Sequence, residues 1–209
     1  MNRTNSREEQ LTRELLEAIC QRSDLSQRNL AKHMGVALGL ANTYLKRCVR
    51  KGYVKITQAP ANRYLYYLTP IGFAEKSRLT ARYLAASLDF VRLARASCSV
   101  VYRECRQRGM KRVILCGDSE LAEIAFLESI EARLEILGLY DGRTERKRFF
   151  SKPIWRGQLP QLQATDAALL TDLTSPVATY RRLEGQADSA SIMVPSVLGT
   201  KDQLEHGID

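Results

Sequence analysis

The stretch from Thr69 to Gly109 constrains this chain most. Over about forty residues only Gly72, in the first turn, opposes a continuous helix. Thr69 can cap the helix, Pro70 suits its first position, and Gly109 suits its end. Arg103, Arg106 and Arg108 complement the negative pole at the C-terminal end. At about 1.5 Å per residue the helix is a rod of roughly 60 Å, too long to pack only within one protomer. A seven-residue repeat sets Leu84, Val91, Cys98 and Cys105 on one stripe, interleaved with Ser87, Ala94 and Val101. Small apolar side chains allow close approach between helices. The expectation is therefore a homodimer joined through Leu84, Val91, Ala94, Cys98, Val101 and Cys105. Equivalent Cys98 and Cys105 thiols would face each other across the two-fold axis, either as small buried hydrophobes or as an intersubunit redox switch.

The two sides of this helix differ in charge. Residues 1–112 hold 22 Lys/Arg against 8 Asp/Glu, or +14, and residues 113–209 hold 10 against 15, or −5, which sum to the net +9. A basic half joined to a mildly acidic half suggests a polyanion-binding module carrying a second domain with another task. A content of 44% hydrophobic and 26% charged residues is that of a globular protein. No run of about 18 apolar residues or secretory leader pattern occurs, so the expectation is a cytoplasmic protein without a membrane partner. Five cysteines with no CxxC pair and no neighbouring histidines argue against a disulfide framework and a zinc site, so no metal is expected.

Before the long helix, "REEQLTRELLEAICQR" spaces Leu11, Leu15, Leu16, Ile19 and Cys20 as one face of an amphipathic helix. "DLSQRNLAKHMGVALGLANTYLKRCVRKG" then gives a short helix capped by Ser26, a turn at Gly35, and a longer helix ended by Gly52. Ala41, Tyr44, Leu45 and Cys48 face inward in the longer helix. Leu38, Gly39, Asn42, Thr43, Lys46 and Arg47 face outward. "YVKIT", "QAPANR" and "YLYYLT" read as a hairpin with a proline-containing tip. Three helices and a hairpin make a winged helix-turn-helix, which suits double-stranded DNA. Asn42 can pair bidentately with adenine, and Thr43 can meet a base edge or a phosphate. Lys46, Arg47, Arg50 and Arg63 can neutralise phosphates.

The segments "LGLANTYLK", "KGYVK" and "LTPIGFAEKSRLTARYL" carry a resemblance. Residues of about 10–90 resemble the MarR-type winged-helix regulators associated with exopolysaccharide gene clusters. The resemblance implies a dimeric bacterial transcriptional regulator, of polysaccharide genes. Leu40 departs from it, standing where a polar or basic residue is expected, and favours contact with a thymine methyl.

After Gly109 the pattern changes. "KRVILCG", "LEILGLYDG", "DAALLTDL" and "ASIMVPS" read as strands, with helices at "DSELAEIAFLESIEA" and "SPVATYRRLEGQ". Leu121, Ile124, Ala125, Leu127 and Glu128 are set to pack one side of the first helix. This alternation implies βαβ units on a parallel sheet. The expected organisation is a winged-helix domain over 1–69, a dimerisation helix over 70–109, a small Rossmann-like α/β domain over 110–200, and a polar tail over 201–209.

Ligands of such sheets bind beyond the carboxyl ends of the strands, and the first strand here runs into "CGDSELAEI". Against the fingerprint G-x-G-x-x-G/A, Gly117 and Ala122 fit, while Ser119 replaces the glycine that lets backbone approach a pyrophosphate. Asp118 and Glu120 suit the positive helix end but compete with phosphate for its amides. Asp141 ends the second strand, where an acid can hold ribose hydroxyls. "CGDSELAEIA", "EILGLYDG" and "KPIWRGQLPQL" resemble the nucleotide-binding domains of polysaccharide enzymes, among them β-helical sugar acetyltransferases and nucleotide-sugar dehydratases. In those domains, the segment Lys152-Pro153-Ile154 to Gly157 precedes the next helix. The resemblance implies a nucleotide, nucleotide-sugar, NAD(H) or acyl-CoA effector near Gly117, Asp118, Ser119, Asp141 and Arg143. The basic loop with Arg143, Arg146, Lys147 and Arg148 can grip phosphates or remain solvated. A second domain used only for oligomerisation or a protein partner is the alternative. NADH-responsive redox repressors also resemble this layout, although their glycine turn is intact. The two histidines, His33 and His206, assemble no catalytic constellation, so no enzyme is expected.

Overall fold

Leu11, Leu15, Leu16, Ala18 and Ile19 recur at helical spacing and are all buried on one side of α1 (Arg3–Gln21). The computed structural model describes residues 3–60 and 63–206. The chain forms two compact units, Met1–Leu88 and Asp89–Asp209.

In the first unit, α2 (Gln27–His33) starts at Ser26, whose hydroxyl accepts from the Asn29 amide at 3.1 Å. The longer helix α3 (Leu38–Arg50) buries Ala41, Leu45 and Cys48. Strands β1 (Val54–Ala59) and β2 (Arg63–Leu68) pair antiparallel, from Val54 opposite Leu68 to Ala59 opposite Arg63. Two tip residues, Ala61 and Asn62, and the side chain of Arg63 lie outside the described residues. One core joins these elements through Leu15, Leu16, Leu30, Leu45, Val54 and Tyr66. Each fully buried leucine contributes about 1.5–3 kcal/mol to it.

Helix α4 (Pro70–Gln107) begins as its sequence signals require: the Thr69 hydroxyl accepts from the Gly72 amide at 3.0 Å. Its first turns bind α1 through Lys76–Glu17 at 2.9 Å and Arg82–Glu9 at 2.6 Å. The helix stops at Gln107, two residues short of the expected end, and Gly109 follows with φ 75°.

Among its described residues the second unit holds five parallel strands: β3 (Arg112–Cys116), β4 (Glu135–Tyr140), β5 (Ile154–Trp155), β6 (Asp166–Leu170) and β7 (Ile192–Met193). Their order is β5-β4-β3-β6-β7, that of the first five strands of a Rossmann sheet, 3-2-1-4-5. Helices α5 (Glu120–Ala132) and α6 (Pro176–Glu184) follow β3 and β6. Both faces are covered, which is why the central strands are apolar beyond their first residues, where Arg112 of β3 pairs with Asp166 of β6 at 2.7 Å. Val113, Leu115, Ala167 and Leu169 pack with Cys98, Tyr102 and Cys105 of α4 and Leu121 of α5. Ile114, Cys116, Ala168 and Leu170 pack with Tyr180, Leu183 and Leu204.

Four expectations need correction. Ala94, Cys98, Val101 and Cys105 are not free to form a dimer seam, because all four are buried in the core of their own α/β unit. Of the expected stripe only Leu84 and Val91 are exposed, at 53% and 37%. Ile154 and Trp155 form an edge strand rather than a segment leading into a helix, since β4 offers its free edge there. The polar tail begins with a helix, α7 (Lys201–His206), because Leu204 closes the core under α6 and is 3% exposed. Leu127 faces outward, and Glu128 takes the inner position as an ion-pair partner of Arg95. Gly207–Asp209 and the side chain of His206 lie outside the described residues.

Candidate nucleic-acid interface

No acidic residue stands between Asp24 and Glu75, a span that includes α2, α3 and both strands of the hairpin. The same span carries Arg28, Lys32, Lys46, Arg47, Arg50, Lys51, Lys55 and Arg63. This is the footprint of a surface that meets a polyanion. Helix α3 presents Gly39, Thr43, Lys46 and Arg50 along one exposed line, opposite its buried face of Ala41, Leu45 and Cys48. Leu38 and Leu40 flank its first turn and are exposed.

Two of the residues expected on this face are partly withdrawn. Arg47 is half-buried, paired with Glu8 of α1 and lying over the Tyr44 ring at 5.5 Å. It braces α3 against α1 and meets a phosphate only by leaving that carboxylate. Asn42 is half-buried, and among the described residues its side-chain oxygen is buried without a hydrogen-bond partner. A two-point contact with adenine therefore requires the amide to turn outward. Thr43 is exposed, and its hydroxyl donates to the Gly39 carbonyl at 2.9 Å.

The β3–α5 turn stands where the strand order reverses, the usual ligand position. Here most of its polar groups are satisfied within the unit, although among the described residues the buried Asp118 Oδ1 has no hydrogen-bond partner. Ser119 caps α5, its hydroxyl accepting from the amides of Leu121 at 3.1 Å and Ala122 at 3.4 Å while donating to the Thr171 carbonyl. The buried Asp141 carboxylate accepts from the amides of Asp118 at 2.8 Å and Arg143 at 2.7 Å, instead of standing open for a ribose. Gly117 has φ 115°, and a Cβ there would come within 2.5 Å of Asp172. Close packing against the chain leaving β6 thus requires this glycine, with no phosphate involved.

The basic loop after β4 completes the closure. Arg143 pairs with Asp172 and lies 3.8 Å from Asp141, and Arg146 reaches Asp118 at 3.2 Å and Glu123 at 2.9 Å. Lys147 and Arg148 are exposed. Asp172 also accepts from the Thr179 hydroxyl at 2.6 Å and from the amides of Thr174 and Ser175. Burial works against its ionisation, but these hydrogen bonds and the Arg143 charge outweigh it and hold the carboxyl below its ordinary range. No local pattern singles out Asp172, since its role follows from β6 lying beside β3.

Among the described residues no cluster of His, Cys, Asp or Glu is arranged to hold a metal ion, and no helix is long and apolar enough to cross a membrane. An open groove of about 520 Å³ between α4 and α5 is lined by Arg103, Arg106, Glu128 and Glu131, among others.

Residues 8–55 match the family profile described as winged helix-turn-helix DNA-binding. No curated protein matches the chain. A MarR family protein of Mycobacterium tuberculosis, Rv2887 in complex with p-aminosalicylic acid, aligns at 28% identity and TM-score 0.34, covering 38% of this chain and 62% of that one. The PcaV transcriptional regulator of Streptomyces coelicolor in complex with its natural ligand aligns at 23% identity and TM-score 0.36, covering 39% and 59%. The chain thus spans less than two thirds of the length of these regulators. Human N-acetylserotonin methyltransferase in complex with SAM aligns at 12% identity and TM-score 0.36, covering 91% of this chain and 75% of that one. At these TM-scores no functional property passes from the three structures to this chain.

Proposed function

We propose that the protein is a sequence-specific DNA-binding transcriptional regulator of the MarR type, acting as a homodimer on double-stranded DNA, with polysaccharide genes as its target class. The observation that carries this reading is the winged helix-turn-helix with its fifty-residue span free of acids. Lys46 and Arg50, exposed on α3, neutralise phosphates, while Leu38, Gly39 and Thr43 face the bases and Asn42 joins them only when its amide turns outward. Arg47 acts first as a brace to Glu8. Arg63, at the tip end of the hairpin, adds a phosphate contact.

The second unit serves assembly or a protein partner in this proposal. The self-satisfied turn at Gly117 and Ser119 favours it, because a pyrophosphate would have to displace the Ser119 cap and the Asp141 hydrogen bonds. A nucleotide-type effector is the second reading, favoured by the position of that turn at the reversal of strand order. The two separate in a thermal-shift panel of UDP-sugars, NAD(H), acyl-CoA and free nucleotides. A ligand at 100 times its dissociation constant stabilises the state it binds by about 2.7 kcal/mol.

The DNA-binding reading is tested by selecting duplexes from a random library with the full chain. The recovered duplex then competes against a scrambled duplex of the same composition. A recovered duplex bound at least a thousandfold (~10³) more tightly is the expected result. Equal competition by both duplexes removes the claim of sequence specificity.

A further inference from the structure

We propose that the leading turn of α3 reads thymine methyl groups, so that the preferred site carries thymines at the positions it faces. The inference rests on the DNA-binding reading above and adds the base feature that is recognised. Leu38 and Leu40 stand 45% and 39% exposed at the start of α3. Among the described residues they belong to none of the core clusters. Between them Gly39 has open space where a Cβ would stand, so the fold itself does not need a glycine there. One turn on, the hydroxyl of the exposed Thr43 is committed to the Gly39 carbonyl, so the methyl is the part of that side chain left free for an apolar contact.

The result is an apolar patch on a helix otherwise edged by Lys46 and Arg50, in a span without acids. A purely phosphate-binding surface has no use for two exposed leucines and a bare backbone. A base-reading surface does, because thymine is the one base of DNA that presents a methyl group in the major groove. The half-buried Asn42 points the same way, since its buried oxygen leaves the apolar groups as the foremost part of the turn. Gly39 lets the backbone come close enough for Leu38, Leu40 and the Thr43 methyl to touch those methyls. A second copy of the chain is the other partner an apolar patch can have, but the cations around this patch repel their own kind and attract a polyanion.

The test uses the full chain and the duplex recovered from the random library. A matched duplex carries deoxyuridine for every thymine of the bound site, which removes the methyl and keeps base pairing and the O4 acceptor. Wild type should lose about fourfold in affinity for each methyl contacted. The variants Leu38→Ala and Leu40→Ala, at exposed positions that the core does not use, should narrow the difference between the two duplexes. Equal binding of the thymine and uracil duplexes by wild type overturns the methyl reading and leaves DNA binding intact. A library that yields no preferred duplex removes the sequence-specific reading of the DNA-binding proposal, and this inference with it. Leucine variants that keep the wild-type uracil discrimination but change the sedimenting mass assign the patch to a protein contact, which also overturns the proposal.

Discussion

The Ser119 hydroxyl of the β3–α5 turn donates to the main-chain oxygen of Thr171 at the end of β6. The same hydroxyl caps α5, so one side chain ties the turn to the neighbouring strand and takes the amides a phosphate would use. Asp141 does the equivalent on the other side, holding the amides of Asp118 and Arg143. The turn keeps the path of a nucleotide-binding loop while most of its hydrogen-bonding capacity is spent internally, Asp118 Oδ1 being the exception among the described residues.

Replacing Asp141 therefore acts on stability before it acts on any ligand. Asp141→Ala leaves two amides without their acceptor and should cost about 1–3 kcal/mol. Urea unfolding followed at Trp155, the chain's single tryptophan and part of β5, reports on the second unit directly. An unchanged midpoint would show that Asp141 does not hold the turn.

Acid should weaken the same unit through Asp172. Its carboxyl titrates below its ordinary range in the folded state, so its contribution is fully present above the unfolded pKa of about 3.9 and is lost as pH falls through the folded value. Stability followed at Trp155 should fall below about pH 4. Asp172→Asn should be less stable at neutral pH and less sensitive to acid. An acid limb as steep in the variant as in wild type would assign the loss to other groups.

Thiol reactivity should separate Cys20 from the rest. Cys20 is exposed, whereas Cys48, Cys98, Cys105 and Cys116 are buried. Burial pushes the Cys98 thiol up to about 12 and those of Cys48 and Cys105 to about 11. Titration of the native protein with a thiol reagent should label one of the five rapidly and the other four only on unfolding. Fast labelling of Cys98 or Cys105, or a disulfide-linked dimer through either, would contradict their burial in the unit's own core.

Gly39→Ala should divide stability from recognition. Nothing in the first unit stands where the new methyl goes, and alanine favours a helix over glycine by roughly 0.5–1 kcal/mol. The variant should melt higher than wild type and bind the preferred duplex more weakly. Stronger or equal binding would show that the bare backbone at Gly39 is not used for close approach.

Much of this was legible in the residues themselves. Helical spacing in Leu11–Ile19, the Ser26 cap and the Thr69-Pro70 start locate the helices of the first unit because those signals are local. The alternation after Gly109 locates β3, α5, β4, β6 and α6 for the same reason. The heptad stripe misled because Cys98 and Cys105 are apolar and regularly spaced whichever partner they face, and their partner is the chain's own sheet. β5 escaped because a two-residue edge strand is defined by the edge it joins rather than by its composition. The pairing of Arg47 with Glu8 is 39 residues long in sequence, beyond any periodicity. Asp141 showed as an acid at a strand end, but its use within the turn depends on where the Asp118 amide points.

The central claim is that the exposed face of α3 is the DNA interface. It is tested most directly by the slope of log affinity against log salt for the recovered duplex, in wild type and in the Lys46→Ala/Arg50→Ala double variant. Loss of two phosphate contacts should make the slope shallower by about 1.8. Identical slopes would mean that neither cation meets the DNA backbone, and that the interface lies elsewhere on the molecule.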